Sequence, residues 1–146
     1  MEQECTFEET GLLMLLPLIQ KIIHSESGVK ERGMTKTRII IFAALVLRGS
    51  LTMGQVAGYI GSSKEQATRA VAPLVEAGYV ERYVKDENRT KIHIRLTDAG
   101  KAITDERIGR FSDNLNKKMN QRLNREERQR LFDTVNTLIE LLDRLV

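Results

Sequence analysis

Apolar residues recur at helical spacing over most of the chain. From about Thr10 to Ser25 they occupy positions 12, 15, 16, 19, 22 and 23. This spacing puts them on one face of a helix, in which Pro17 predicts either a kink or a new helix start. Thr35 is the expected N-cap of a second helix that runs to Leu47. Its core residues are predicted to be Ile39, Ile40, Phe42, Ala43, Val46 and Leu47.

Two short helices follow, and each is predicted to begin with a capping box. Thr52 and Gln55 form the first box, and Ser63 and Gln66 form the second. Gly61, between the two helices, has the backbone freedom that a tight turn requires. Two short helices joined by a turn with Gly are typical of a helix-turn-helix, although they also occur in many helical bundles.

Beyond Gly78 the pattern changes from helical spacing to alternation. Tyr79–Lys85 is a predicted strand, Asp86–Thr90 a polar tip, and Lys91–Leu96 the returning strand, whose apolar residues share one face. So short a hairpin is not stable alone and is expected to pack on helices. A hairpin directly after a helix-turn-helix is the layout of a winged helix, with the tip as the wing.

The remaining residues predict two helices. Thr97 is the expected cap of a long helix to about Leu123, and Asn124 caps the last one. The last helix carries apolar residues at spacings of four, three, four and three, as in a coiled coil: Leu131, Val135, Leu138, Leu142 and Leu145. The predicted fold is mainly α with a small β-hairpin wing. A winged helix-turn-helix lobe, residues 35–100, lies between long dimerisation helices in residues 1–34 and 101–146.

The charge of the chain is unevenly distributed. The net charge of the 146 residues is +3, but residues 32–101 carry +6 while residues 1–31 carry −4. A basic middle segment between acidic and near-neutral ends favours a polyanionic partner such as nucleic acid, or else a solvated basic face.

Composition bears on several other function classes. Cys5 is the single cysteine, which excludes an internal disulfide and agrees with a reducing compartment. No apolar run is long enough to span a bilayer, and the acidic start differs from a signal peptide, so a cytoplasmic protein is expected. The two histidines belong to no catalytic or metal-binding motif. We therefore expect neither an enzyme, nor a metal site, nor a cofactor.

Three parts of the sequence resemble the MarR family of winged-helix transcriptional regulators. LTMGQVAGYIGSSKEQATRAVAPLVEAGYVER resembles the family's helix-turn-helix, ENRTKIHIRLTDAG resembles its wing, and the long flanking helices resemble its dimerisation ends. The family often has an Asp and an Arg two residues apart at the wing tip, where this chain has Asn88 and Thr90 with Arg89 between them. The resemblance implies a homodimeric double-stranded DNA-binding regulator, a repressor on a palindromic operator, with a small-molecule effector as the family's usual means of release.

The residues expected to contact DNA lie on the second helix of the motif, the wing and the helix starts. Gln66 is predicted to pair with adenine and Arg69 with guanine in the major groove, while Arg89 enters the minor groove. Alternatively, Gln66 only caps its helix, and the wing cations only protect an edge strand. The full set is Ser62, Ser63, Lys64, Gln66, Arg69, Lys85, Asn88, Arg89, Lys91, Arg95, Thr35, Lys36, Arg38 and Thr52.

A dimer is expected because a twofold pair reads two half-sites about one helical turn apart. The predicted interface, whose alternative is packing within one chain, comprises Leu12, Leu16, Ile19, Ile23, Leu131, Val135, Leu138, Leu142 and Leu145. Two rival functions stay open: a winged helix used only for protein contact, and a redox sensor based on Cys5. The acidic neighbours of Cys5 are expected to raise its pKa and reduce its reactivity.

Overall fold

The structure, a computed structural model, describes residues 7–26 and 35–146. The described helices are α1 (Phe7–Glu26), α2 (Lys36–Arg48), α3 (Met53–Ile60), α4 (Lys64–Glu76), α5 (Asp98–Arg122) and α6 (Arg125–Asp143). The strands are β1 (Ser50–Thr52), β2 (Val80–Lys85) and β3 (Asn88–Leu96). The predicted architecture, mainly helical with a small hairpin wing, is confirmed. None of the helices in the described ranges is long and apolar enough to cross a membrane.

The predicted helix starts are confirmed by their caps. The Thr35 hydroxyl accepts a hydrogen bond from the backbone N–H of Arg38, at 3.3 Å. Capping boxes begin α3, α4 and α6, so in each of these helices two N–H groups that lack helical partners are satisfied. Gly61 follows α3 with a φ of 62°, in the left-handed region, as its place in the turn predicts.

The buried core belongs to the winged-helix lobe. Its most deeply buried large side chains come from α2, α3, α4 and the sheet: Ile41, Leu45, Leu51, Val56, Val71, Val80 and Ile94. Every one of them lies within residues 35–100. The lobe therefore contains the material for a core of its own.

The predicted core face of α2 was largely wrong. Phe42 is buried as expected, but Ile41 and Leu45 are buried with it, while Val46 and Leu47 are 52% and 55% exposed. The reason is that α2 is apolar almost all round, from residue 39 to residue 47, so the spacing alone does not select one face. The buried face is set by contact with α3 and the sheet.

The sheet has three antiparallel strands in the order β1-β3-β2. The sequence did not predict β1, whose Leu51 pairs with Ile94 and whose Thr52 pairs with His93. The tip is also shorter than expected, because β3 begins at Asn88 instead of Lys91. Since Thr52 is both the last residue of β1 and the cap of α3, the sheet fixes the start of the helix-turn-helix against the base of the wing.

Ion pairs join the terminal helices to each other and to the winged-helix lobe. The Glu26 carboxylate, in a residue only 8% exposed, pairs with the Lys118 ammonium of α5. The hydrogen bond from Lys118 lowers the pKa of Glu26 below its ordinary value, and the Ser25 hydroxyl adds to this effect. At the other end, Arg48 of α2 pairs with Asp143 of α6 at 2.5 Å. No residue of α6 is buried.

Candidate nucleic-acid interface

The outer face of α4 is defined by the residues that the helix buries. Ala67 and Val71 are fully buried against the lobe, and Leu74 is 3% exposed. With 3.6 residues per turn, the opposite face is formed by Glu65 and Arg69, both of which are exposed. Charged side chains thus form the centre of the surface that α4 presents.

Gln66 is engaged in the cap of its own helix. Its Oε1 accepts from the backbone N–H of Ser63, and its own N–H donates to the Ser63 hydroxyl, both at 3.2 Å. A bidentate pair with adenine uses the carboxamide oxygen and nitrogen together. That predicted contact therefore requires the cap to open or a water to mediate, and it stays a prediction. The capping role is confirmed.

A groove of about 480 Å³ separates the helix-turn-helix from the wing. It brings together the start of α3, the first residue of α4 and strand β3, through Thr52, Met53, Gly54, Gln55, Lys64, Thr90, Lys91 and Ile92. Three predicted contact residues, Thr52, Lys64 and Lys91, thus share one concave surface. Two ammonium groups beside a helix start make it electrostatically suited to a phosphate group.

The wing tip is braced by neutral hydrogen bonds. Asn88 Oδ1 accepts from the Thr90 backbone N–H at 3.2 Å and from the Thr90 hydroxyl at 2.5 Å. These two residues hold the positions where the resembling family often has its Asp and Arg. Arg89 lies between them, exposed at the tip, and Lys85 is opposite Asn88 in the strand register. The tip keeps its cations although it lacks the usual ion pair.

Arg95 differs from the other predicted wing cations. Its Nε lies 2.5 Å from the Glu81 carboxylate, and its guanidinium carbon lies 4.6 Å from the centre of the Tyr83 ring. The bond to Glu81 raises the pKa of Arg95 further. Arg95 also lies at the base of the hairpin, opposite Ser50 of β1. Its charge is therefore partly balanced within the protein.

The predicted contacts at the start of α2 lie apart from this surface. Thr35 caps the helix, and Lys36 lines a separate apolar groove between α1 and α2, with Ile19 and Ile40 among its neighbours. The end of α2 that joins β1 is 13 residues further on, which is roughly 20 Å along a helix. Thr52 lines the groove between the helix-turn-helix and the wing, whereas Thr35, Lys36 and Arg38 are not among its lining residues.

Sequence reasoning missed two features. Glu65 was passed over, although its spacing of four residues from Arg69 places it beside that residue on the outer face of α4. An apolar cavity of about 220 Å³ was also missed, since its lining comes from α1, α2 and α5: Ile23, Ile39, Phe42, Ala43, Thr104, Arg107, Ile108 and Phe111. The cavity becomes apparent only in the folded protein, where residues of these three helices come together.

The predicted interface residues are mostly exposed in the isolated chain. Leu16 is 56% exposed, Leu131 42% and Leu145 75%, and Leu12, Ile19, Val135 and Leu142 are similarly uncovered. Ile23 and Leu138 are half-buried. Packing within one chain thus leaves most of this apolar surface open. Cys5 lies outside the described residues, and within residues 7–26 and 35–146 no three His, Cys, Asp or Glu residues cluster as metal ligands do.

Comparison with known proteins identifies similar solved structures. No family model and no curated protein matches the sequence. A MarR-family transcriptional regulator from Silicibacter pomeroyi is similar in structure, with a TM-score of 0.64 at 20% identity, over 93% of this chain and 92% of that one. A MarR-like transcriptional regulator from Thermotoga maritima gives 0.62 at 24% identity, over 90% and 94%.

A third similar structure is NadR, solved in complex with 4-hydroxyphenylacetate. Its TM-score is 0.68 at 18% identity, over 86% of this chain and 89% of that one. Each of the three matches covers at least 86% of this chain. The chain has the winged-helix fold of MarR-family transcriptional regulators.

Proposed function

We propose that the chain is a MarR-family member that regulates transcription by binding specific double-stranded DNA. The observation that carries this proposal is the placement of Arg69 on the outer face of α4, the helix whose first residue, Lys64, lines a groove together with Lys91. An α-helix fits the major groove, and basic side chains flanking it would neutralise phosphates on either side.

The chemistry divides between reading bases and holding the backbone. Arg69 is proposed to donate two hydrogen bonds to guanine O6 and N7, and Arg89 at the wing tip to enter the minor groove. Lys64, Lys85 and Lys91 are proposed to contact phosphates, with Ser62, Ser63, Asn88 and Thr52 as neutral donors nearby. Arg95 would contribute less, because Glu81 already balances its charge.

We propose that two copies assemble on a palindromic operator and that binding represses transcription. The exposed apolar faces of α1 and α6 support self-association, since uncovered apolar surface of this extent marks an interface. A twofold pair would place two α4 helices in successive major grooves.

A small-molecule effector is part of the proposal. The 220 Å³ cavity lies between α1, α2 and α5, so a bound molecule would contact both the winged-helix lobe and the terminal helices. The complex of the similar NadR with 4-hydroxyphenylacetate supports ligand binding in this fold. A ligand that binds more tightly to one arrangement of the winged-helix lobe and the terminal helices would favour that arrangement. It would change the DNA affinity by at most the difference between its binding free energies for the two arrangements.

The decisive experiment is selection of bound duplexes from a random pool, with competitor DNA, for the parent, Arg69→Ala and Lys117→Ala. Lys117 is an exposed cation of α5, remote in sequence from the groove, and serves as the control. We expect a palindrome from the parent and the control, and loss of one base preference in Arg69→Ala. Recovery of no motif, with binding that collapses as salt rises, would leave only non-specific electrostatic attraction and would favour protein contact instead.

A further inference from the structure

An acidic residue lies at the centre of the proposed reading face. Glu65 is exposed in the first turn of α4, one helical turn before Arg69 and opposite the buried Ala67 and Val71. Recognition helices contact base edges with their N-terminal residues, which is where Glu65 is located. A carboxylate there repels every phosphate that approaches, whatever the DNA sequence.

The carboxylate of Glu65 is ionised, and it forms no ion pair with Arg69. Hydrogen bonds from its own backbone N–H and from the Ser63 hydroxyl lower the pKa of Glu65, and the charge of Lys64 adds to this effect. As with Gln66, contact with a base therefore requires the side chain to leave these donors or to share them. Glu106–Arg110 and Glu140–Arg144 form ion pairs at the same four-residue spacing. No such pair joins Glu65 to Arg69 among the residues that the structure describes.

A carboxylate that is buried in a protein–DNA interface is tolerated where a hydrogen-bond donor of the DNA lies against it. In the major groove the exocyclic amine of cytosine is the donor that Glu and Asp accept from, whereas guanine and thymine present acceptors and adenine has its N7 acceptor beside its amine. We propose that Glu65 determines specificity by accepting a hydrogen bond from a cytosine amine and by excluding operators that lack a donor at that position. This inference rests on the proposed DNA-binding function.

The spacing of the two residues predicts where the cytosine lies. One turn of helix advances 5.4 Å, and base pairs follow each other at about 3.4 Å along the duplex. The base read by Glu65 is therefore one or two base pairs from the guanine read by Arg69. Each half-site should contain a cytosine and a guanine at that separation.

An alternative role for Glu65 is purely structural. A carboxylate in the first turn of a helix stabilises the helix through its dipole, without any DNA contact. The two roles differ in what a substitution changes. A structural residue affects the melting temperature and leaves base preference alone, whereas a specificity residue alters base preference even where folding is intact.

The test is duplex selection followed by binding to single-base operator variants, for the parent, Glu65→Ala, Glu65→Gln and the control Glu76→Ala. Glu76 is the exposed acid at the other end of α4. For the parent we expect replacement of the cytosine to weaken binding by about 10-fold or more. In Glu65→Ala this penalty should fall to about 2-fold or less while affinity for random DNA rises, because a repulsive charge has gone.

Each other outcome counts against the inference. An unchanged cytosine preference in a folded Glu65→Ala variant, checked by circular dichroism, would overturn it while leaving the proposed function in place. If Glu76→Ala reduces the penalty for replacing the cytosine as much as Glu65→Ala does, the effect comes from the overall charge of the helix. That result would also overturn the inference. A parent that selects no motif would overturn the proposed function first, and this inference with it.

Discussion

A β-carbon built on Gly100 would lie only 1.9 Å from the carbonyl oxygen of Tyr79. The same carbonyl accepts the backbone N–H of Thr97 at 3.1 Å, and the Thr97 hydroxyl donates to the Gly78 carbonyl at 2.5 Å. The start of α5 therefore rests directly on the backbone that leads into β2. This contact joins the winged-helix lobe to the long helix that leaves it.

Gly100→Ala should destabilise the fold by about 3 kcal/mol or more, because neither backbone can withdraw without breaking these bonds. Gly109→Ala, on the same helix with nothing within 4 Å of its β-carbon, should stabilise it by up to about 1 kcal/mol. Urea unfolding of both variants measures the difference. Equal midpoints would show that the close approach is absent in solution.

The pair between Glu26 and Lys118 predicts a stability change in acid. The pKa of Glu26 is lowered from its ordinary value of 4.5, so this stabilisation is present above that value and is lost as the pH falls through the folded pKa. Between about pH 6 and about pH 3, Glu26→Gln should therefore lose less unfolding free energy than the parent.

The measurement is urea unfolding at both pH values, with Glu106→Gln as the control. Glu106 pairs with Arg110 on the exposed surface of α5, where an ion pair contributes little. Between the two pH values, the Glu106→Gln variant should lose as much unfolding free energy as the parent does. A parallel response in Glu26→Gln would mean that the pair with Lys118 adds nothing to stability.

Self-association should depend on the apolar face of α6. Leu138→Glu places a charge among Leu131, Val135 and Leu142, and we expect it to convert a dimer to monomer in sedimentation velocity. Asn136→Glu adds the same charge on the polar side of the helix and should remain dimeric. Dimers of equal strength in both variants would locate the interface elsewhere.

The two wing arginines should differ in their effect on DNA affinity. Arg89 is exposed at the tip, while Arg95 is paired with Glu81 at the base. Arg89→Ala should reduce the slope of log affinity against log salt by about 1, and Arg95→Ala should reduce it by clearly less. Titrations of a selected duplex at several salt concentrations provide both slopes, and a reversed order would contradict this division of roles.

The helix starts were predictable from the sequence because their signals are local. Thr52, Ser63 and Asn124 each lie three residues before a Gln or Glu, and each forms the expected box. Strand β1 was not predictable, since three residues become a strand only when β3 lies beside them. The buried face of α2 was unpredictable for a related reason: contact with α3 and the sheet decides which of its several apolar faces is buried.

The candidate site shows the same division. Arg69 and Arg89 are predicted to contact DNA from their residue type and their position in the motif, and these contacts stay predictions. The meeting of Thr52 with Lys64 and Lys91 depends on how the wing folds back towards the helices, which no spacing reveals. The cap on Gln66 was foreseen as an alternative, but only the orientation of its carboxamide shows which atom is occupied.

The confinement of the most deeply buried residues to the winged-helix lobe has an evolutionary consequence. The apolar surfaces of α1 and α6 contribute little to that core, so under the proposed self-association substitutions there would be selected through pairing of two copies and hardly through folding of the lobe. After gene duplication, two descendants with the proposed function could therefore come to form separate dimers while both still bind the same operator. Selection could then act separately on which copies pair with each other and on which operator sequence they bind.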